Sequence, residues 1–234
     1  MSELNFSDFK MFGEDLRDLF DPKAFTELIM AGIKGEEKIY GPVFTTQIIK
    51  YALDFSAQKI EEKPPEDIKT LDQLKEYLFS KADKYPPYLI VTYAQIKTEN
   101  LFQGRTGAGT RIEMMNLSRN GLQKTGYKVV GNLDIDSILS RINQLSVQMK
   151  IVTCSGYKKN EDGSLDILVP NCHILEACKL AASEGLLKRM DGRARCGVIG
   201  EFLGQSLKIA TGNDWDYNVL EAHKPHCLVK VYMI

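Results

Sequence analysis

No apolar run in this 234-residue chain approaches the roughly eighteen residues that cross a bilayer. No block of lysine or arginine is longer than a pair, and 30 basic against 31 acidic residues leave a formal charge of −1. A nucleic-acid surface ordinarily shows as a basic stripe, so neither nucleic-acid binding nor membrane insertion is expected. Histidine is scarce: His173, His223 and His226 are the only three, and their spacing supports no Ser–His–Asp or Cys–His–Asp set. Short-period repeats and low-complexity stretches are missing too. The first 153 residues contain no cysteine, all five lying later as Cys154, Cys172, Cys178, Cys196 and Cys227. An odd number of cysteines, in a chain whose polar start Met1–Lys10 lacks a signal peptide's apolar region, is expected to stay as thiols in the cytoplasm.

What is present is an ordinary globular composition, 44% apolar and 26% charged, enough to bury one large core or two small ones. Phe44, Ile48, Ala52 and Phe55 share one helical face. Pro42 stands just inside that helix's start and Lys63-Pro64-Pro65 ends it. A second helix is expected over Leu71–Ala82 with Thr70 as its cap. Before these, the amphipathic stretch Ala24–Ile33 is broken by Gly32 to Gly35. Tyr88–Ile96, β-branched and aromatic with few charges, reads as a largely buried strand.

Ile135, Ile138, Leu139, Ile142 and Leu145 make a helical stripe within Gly131–Val147. Met149–Tyr157 and Ser164–Val169 then flank the turn Asn160–Gly163 as a hairpin. Two helices over 171–187 and 195–210 lead to a second hairpin, Tyr217–Glu221 with Cys227–Met233, whose turn holds His223 and His226. The fold class this implies is α+β, an antiparallel sheet built from hairpins with helices packed on one face. Three consecutive segments follow from it: a helical extension over 1–40, the first helices and strand of the main body over 41–132, and a C-terminal part over 133–234.

Three places could carry chemistry. Gly104–Arg111 is glycine-rich but lacks both the P-loop ending and the dinucleotide spacing. It is expected to be a plain loop, with Arg105 and Arg111 as the groups that could hold an anion. Gly197, Gly200 and Gly204 fall on one helical face, each costing about 1 kcal/mol relative to alanine. Something must approach that face closely: a helix, the sheet, a symmetry mate or a ligand in a groove. Ile199, Phe202, Leu203 and Leu207 supply the apolar positions beside it.

The thiols are the third place. Cys227 alternates in step with Val229 and Val231, on the apolar face of its strand. Cys172 stands at the start of the helix expected over 171–187, where a thiol pKa falls. Cys172 and Cys178 are too far apart for a zinc knuckle. Metal binding, redox activity and inert core packing all remain open for this group.

The segments Val169–Leu175, Arg195–Gly204 and His223–Val231 resemble the C-terminal part of 4-vinyl-reductase-type domains in the hydrocarbon-binding superfamily. Those domains share their fold with small subunits of the TRAPP vesicle-tethering complex. The resemblance covers about Leu133–Ile234, with only an outline match over Val43–Gln103. It implies a TRAPP-small-subunit-like domain, often a homodimer, with an apolar pocket between helices and sheet for a small apolar or aromatic molecule. The residues it points to are Cys172, His173, Cys196, Gly197, Gly200, Phe202, Gly204 and Cys227. Zinc is a candidate ligand of Cys172, Cys178, Cys196 and Cys227, of which Cys196 and Cys227 match cysteines that some members place at the last helix and last hairpin. Val219, however, stands where zinc-binding members carry a further cysteine, and Asn171-Cys172-His173 replaces their Asn-Cys-Pro. The expected function is a small-molecule sensor or carrier. A TRAPP-like scaffold and a thiol-dependent enzyme of the same superfamily are the alternatives.

Overall fold

The computed structural model describes residues 6–11, 20–102, 115–116, 119–120, 123, 134–148, 156–170, 172–186, 193, 196, 200–222 and 226–234. Among the described residues it is α+β, with seven α-helices and one five-stranded antiparallel sheet. No helix among them is long and apolar enough to cross a membrane. The expected loop Gly104–Arg111, together with Cys154, Gly197 and His223, lies outside the described residues.

The chain divides into two compact units, and neither is continuous in sequence. Asp21–Glu113 and Ile174–Gly192 form a helical unit; Met1–Phe20, Met114–His173 and Arg193–Ile234 form a sheet unit. The segment expected over 133–234 therefore gives Ile174–Gly192 to the helical unit. The segment over 1–40 is split as well, because its helix joins the helical core.

In the helical unit, α1 (Pro22–Tyr40) starts at Asp21, whose carboxylate accepts from the N–H groups of Lys23 at 2.9 Å and Ala24 at 3.1 Å. It runs straight through Gly32 and Gly35, where a break was expected. Each glycine weakens a helix by about 1 kcal/mol but does not stop it, and both are buried against the unit's core. Gly41, at φ +81, then turns the chain into α2 (Pro42–Ile60), with Pro42 in the first turn. Glu61, in the left-handed conformation at φ 58, closes α2 just before the prolines. In α3 (Leu71–Ser80), the hydroxyl of Thr70 accepts from Gln73 N–H while the Gln73 side chain returns to the Thr70 N–H, a complete capping box.

The largest correction is at Tyr88–Ile96, which is not a strand but the middle of helix α4 (Pro87–Leu101). Leu89, Ile90, Val91, Thr92, Tyr93 and Ala94 are buried in succession. A helix enclosed on all sides loses its amphipathic period and reads like a central strand. Its neighbours explain the enclosure: α1, α2 and α6 (Leu175–Ser183) all pack on it. The core of this unit gathers Ile33, Phe44, Ile48, Ala52, Phe55, Leu74, Leu78, Ile90 and Ala94, with Ala177 and Ala181 from α6.

The sheet unit orders its strands β1 (Lys10–Met11), β2 (Gly156–Lys159), β3 (Leu165–Pro170), β5 (His226–Met233) and β4 (Trp215–Glu221). The first expected hairpin is present as β2 and β3; residues 149–155 of its expected first strand lie outside the described residues. Its turn is held by Asp162, which accepts from the Ser164 hydroxyl, the Ser164 N–H at 2.9 Å and Lys230 at 3.1 Å. Those donors hold the Asp162 carboxyl down at about 2. Leu165, Ile167, Val169, Tyr217, Val229 and Val231 face Ile138 and Leu139 of α5 (Ile135–Gln148) and Leu203, Leu207 and Ala210 of α7 (Phe202–Thr211). Helices thus cover this face of the sheet, as expected.

Strand β4 is an edge, and Arg193 guards it. Its guanidinium donates to the Tyr217 carbonyl at 3.3 Å, the Tyr232 hydroxyl at 2.5 Å and the Asp216 carboxylate at 2.7 Å. An occupied edge carbonyl is no longer a template for another strand.

Candidate functional site

Strand β4 and the approach to α7 explain the glycine face. A Cβ built on Gly200 would stand 2.5 Å from Cδ2, 2.6 Å from Cε2 and 2.7 Å from Cγ of Tyr217. Only a residue without a side chain lets that ring lie against the backbone. At Gly204 the nearest atom to such a Cβ is the Trp215 carbonyl, 3.9 Å away, an ordinary contact. At Gly200 the close neighbour is therefore the sheet's own tyrosine. Of the candidates for that face, the structure finds sheet packing at Gly200 and Gly204.

The Tyr217 ring is almost fully buried, and its hydroxyl joins two groups. It donates to the Glu201 carboxylate at 3.2 Å and accepts from the Cys196 N–H at 3.3 Å. Glu201 is itself buried. The Glu201 N–H reaches back to the Cys196 carbonyl at 3.1 Å, an i to i+5 bond that makes one wide turn before α7. Such π-type turns are rare and concentrate where a helix has a local task. Here the turn holds the Cys196 backbone and the Glu201 side chain on the same tyrosine hydroxyl.

The structure brings together some of the expected site residues. Cys172, Cys196 and Cys227 are thiols, each half-buried against the sheet unit's core. Cys227 lies on β5 in register with Val169 of β3, and Cys172 follows β3 two residues beyond Pro170. Val219, in register with Val229, packs on the same core. His173 stacks its ring on Phe20, with centroids 3.6 Å apart and planes 10° from parallel. Phe202, the first residue of α7, is half-buried.

Others fall elsewhere. Cys178 belongs to α6 in the helical unit. Helix α6 begins at Leu175, so Cys172 is not in its first turn. His226 is not in the turn but opens β5, its ring nitrogen 2.9 Å from Glu221 across a bulge. The sequence reading passed over Tyr217, Glu201 and Arg193. Tyr217 did carry a signal: it alternates with Trp215 and Val219 on a strand beside a glycine-lined helix, where a ring and a glycine pair naturally.

Zinc of the implied kind is not supported by the donors. Among the described residues no group of three or more His, Cys, Asp or Glu side chains could hold a metal ion.

No family model matches this chain, and comparison with curated proteins and with solved structures likewise returned no match.

Proposed function

We propose that the sheet unit binds a small apolar or aromatic molecule against the core that its helices and sheet share. One observation carries this reading: Cys172, Cys196 and Cys227, from three separate stretches of chain, all lie half-buried on a single apolar core. Half-buried thiols are soft, polarisable surface that suits an apolar guest. The stacked pair Phe20 and His173, next in sequence to Cys172, adds aromatic surface. The resemblance of Leu133–Ile234 to hydrocarbon-binding domains points the same way, toward a sensor or carrier rather than a catalyst.

Native mass spectrometry of the purified chain, joined to a titration with an anilinonaphthalene probe, tests it. The expected result is a co-purifying small molecule or saturable probe binding. Either should shield Cys172, Cys196 and Cys227 from alkylation while Cys178 keeps its rate. No retained mass, no saturation and an unmoved melting temperature together would sink the reading.

A scaffold role draws on a different observation. Ile39, Val43 and Leu101 of the helical unit are 42%, 60% and 56% exposed. Sedimentation of the purified chain tests it: a strict monomer would argue against a scaffold, whereas self-association fits both readings.

A further inference from the structure

Among the described residues, helix α6 is the one helix that Ile174–Gly192 contributes to the helical unit. Its fully buried side chains are Ala177 and Ala181 alone, with Leu180 and Leu186 partly covered. Nine residues fall short of the roughly 12–15 that make an isolated helix even marginal in water. Helix α6 therefore keeps its shape only while docked.

A carboxylate holds each end. Glu176 accepts from Lys59 at 3.2 Å and from the Tyr85 hydroxyl at 2.7 Å. Glu184 accepts from the Tyr93 hydroxyl at 2.6 Å and from Lys97 at 3.0 Å. The two receptors are built alike. The Lys59 ammonium lies over the rings of Phe55 and Tyr85, and the Lys97 ammonium over those of Tyr51 and Tyr93. Phe55 touches both Tyr85 and Tyr93, which makes one row of rings with a lysine at either end. Every part of that row comes from α2, α4 and the turn before α4, so it is complete without α6.

We propose that α6 is a latch: a short helix that docks on and leaves the α2–α4 face as one piece, with Glu176 and Glu184 as its two catches. The seam beneath it is narrow, Ala177 and Ala181 buried with Leu180 and Leu186 only partly covered, and half-exposed ion pairs contribute little each. Opening leaves Phe44, Ile48, Leu74, Leu78 and Ile90 packed on one another, because none of them belongs to α6. Elements held this way open well before the unit unfolds. When the latch is open, the uncovered face is an aromatic row flanked by two cations.

Hydrogen–deuterium exchange on the full chain tests this, read peptide by peptide. In the native chain, α6 amides should exchange about tenfold or more faster than those of α4. E176A/E184A should speed α6 by about a further three- to fivefold and leave the interiors of α2 and α4 unchanged. Alanine raises helix propensity, so the faster exchange would report lost docking. Y85F/Y93F keeps the rings, removes one donor from each catch, and should act in the same direction more weakly, without touching α6. If α6 and α4 exchange at one rate in the native chain, or both variants leave α6 within about twofold of it, α6 is an integral part of the core and there is no latch.

Discussion

The two units of this chain reach stability by different routes. The helical unit packs wide apolar faces of three long helices with the shorter α3 and α6, and lysine–glutamate and tyrosine–glutamate pairs lie on its rim. Among the described residues the sheet unit has a smaller core, marked by a few tight fits: the Tyr217 ring on Gly200, the hydroxyl shared by Glu201 and Cys196, and Arg193 across β4. A broad core tolerates change at many positions and suffers in proportion to volume lost. A core of tight fits suffers at particular atoms. The thiols follow the same division: three lie half-buried on the sheet core, whereas the helical unit has Cys178 alone among the described residues.

The sharpest way to break this comparison is to empty part of the helical core. Ile90→Ala removes three carbons from a fully enclosed site and should cost about 2–5 kcal/mol. The single tryptophan, Trp215, sits in the sheet unit, so its fluorescence reports that unit while far-UV circular dichroism reports mostly helix. In urea the dichroism midpoint should fall further than the fluorescence midpoint. Equal shifts would mean that the two cores melt as one.

Next in size is Gly200→Ala. The added carbon meets a ring that is itself buried and cannot swing away, so the cost should be about 1–3 kcal/mol, seen first in Trp215 fluorescence. Tyr217→Phe keeps the ring and removes the hydroxyl between Glu201 and the Cys196 N–H. Losing a buried bridging donor costs about 1–2 kcal/mol, and the alkylation rate of Cys196 should rise with it. An unchanged rate would show that the Tyr217 hydroxyl does not restrain the thiol. In the helical unit the sign reverses: Gly32→Ala meets nothing within 4 Å and should stabilise α1 by up to about 1 kcal/mol.

These glycines also show how much was legible beforehand. Three glycines on one helical face announced a close approach, and at Gly200 the structure has one; no pattern in that segment named Tyr217 as the partner, since the pairing depends on how β4 lies beside α7. Pro42, Thr70 and the Asn160–Gly163 turn were readable because capping and turn chemistry is local. Leu89 to Ala94 misled because full enclosure erases the helical period, although Pro87 and the length of the run both fit a helix. The return of Ile174–Gly192 to the other unit was not readable at all. Its contacts, Glu176 to Lys59 and Tyr85 and Glu184 to Tyr93 and Lys97, join residues 87 to 117 positions apart.

Those long-range carboxylates supply the smallest and most selective test. The Tyr85 hydroxyl, against the opposing effect of burial and together with Lys59, holds Glu176 below the ordinary 4.5. Burial pushes Glu184 up, but the Tyr93 hydroxyl and Lys97 more than reverse it, and its carboxyl also lies low. A carboxylate whose pKa is depressed by folding contributes stability above its unfolded value and loses it as pH falls through the folded one. The side chains of Glu176 and Glu184 are 55% and 35% exposed, so solvent screening leaves each contribution at a few tenths of a kcal/mol, roughly. The stability gap between native chain and E176Q/E184Q should therefore stay constant at neutral pH, and narrow once the pH drops below 4.5. In the sheet unit, a Trp215-detected transition should show no such gap at any pH. A gap that persists unchanged in acid would mean that the glutamates act through packing rather than charge, and the rim of the helical unit would then resemble the tight fits of the sheet.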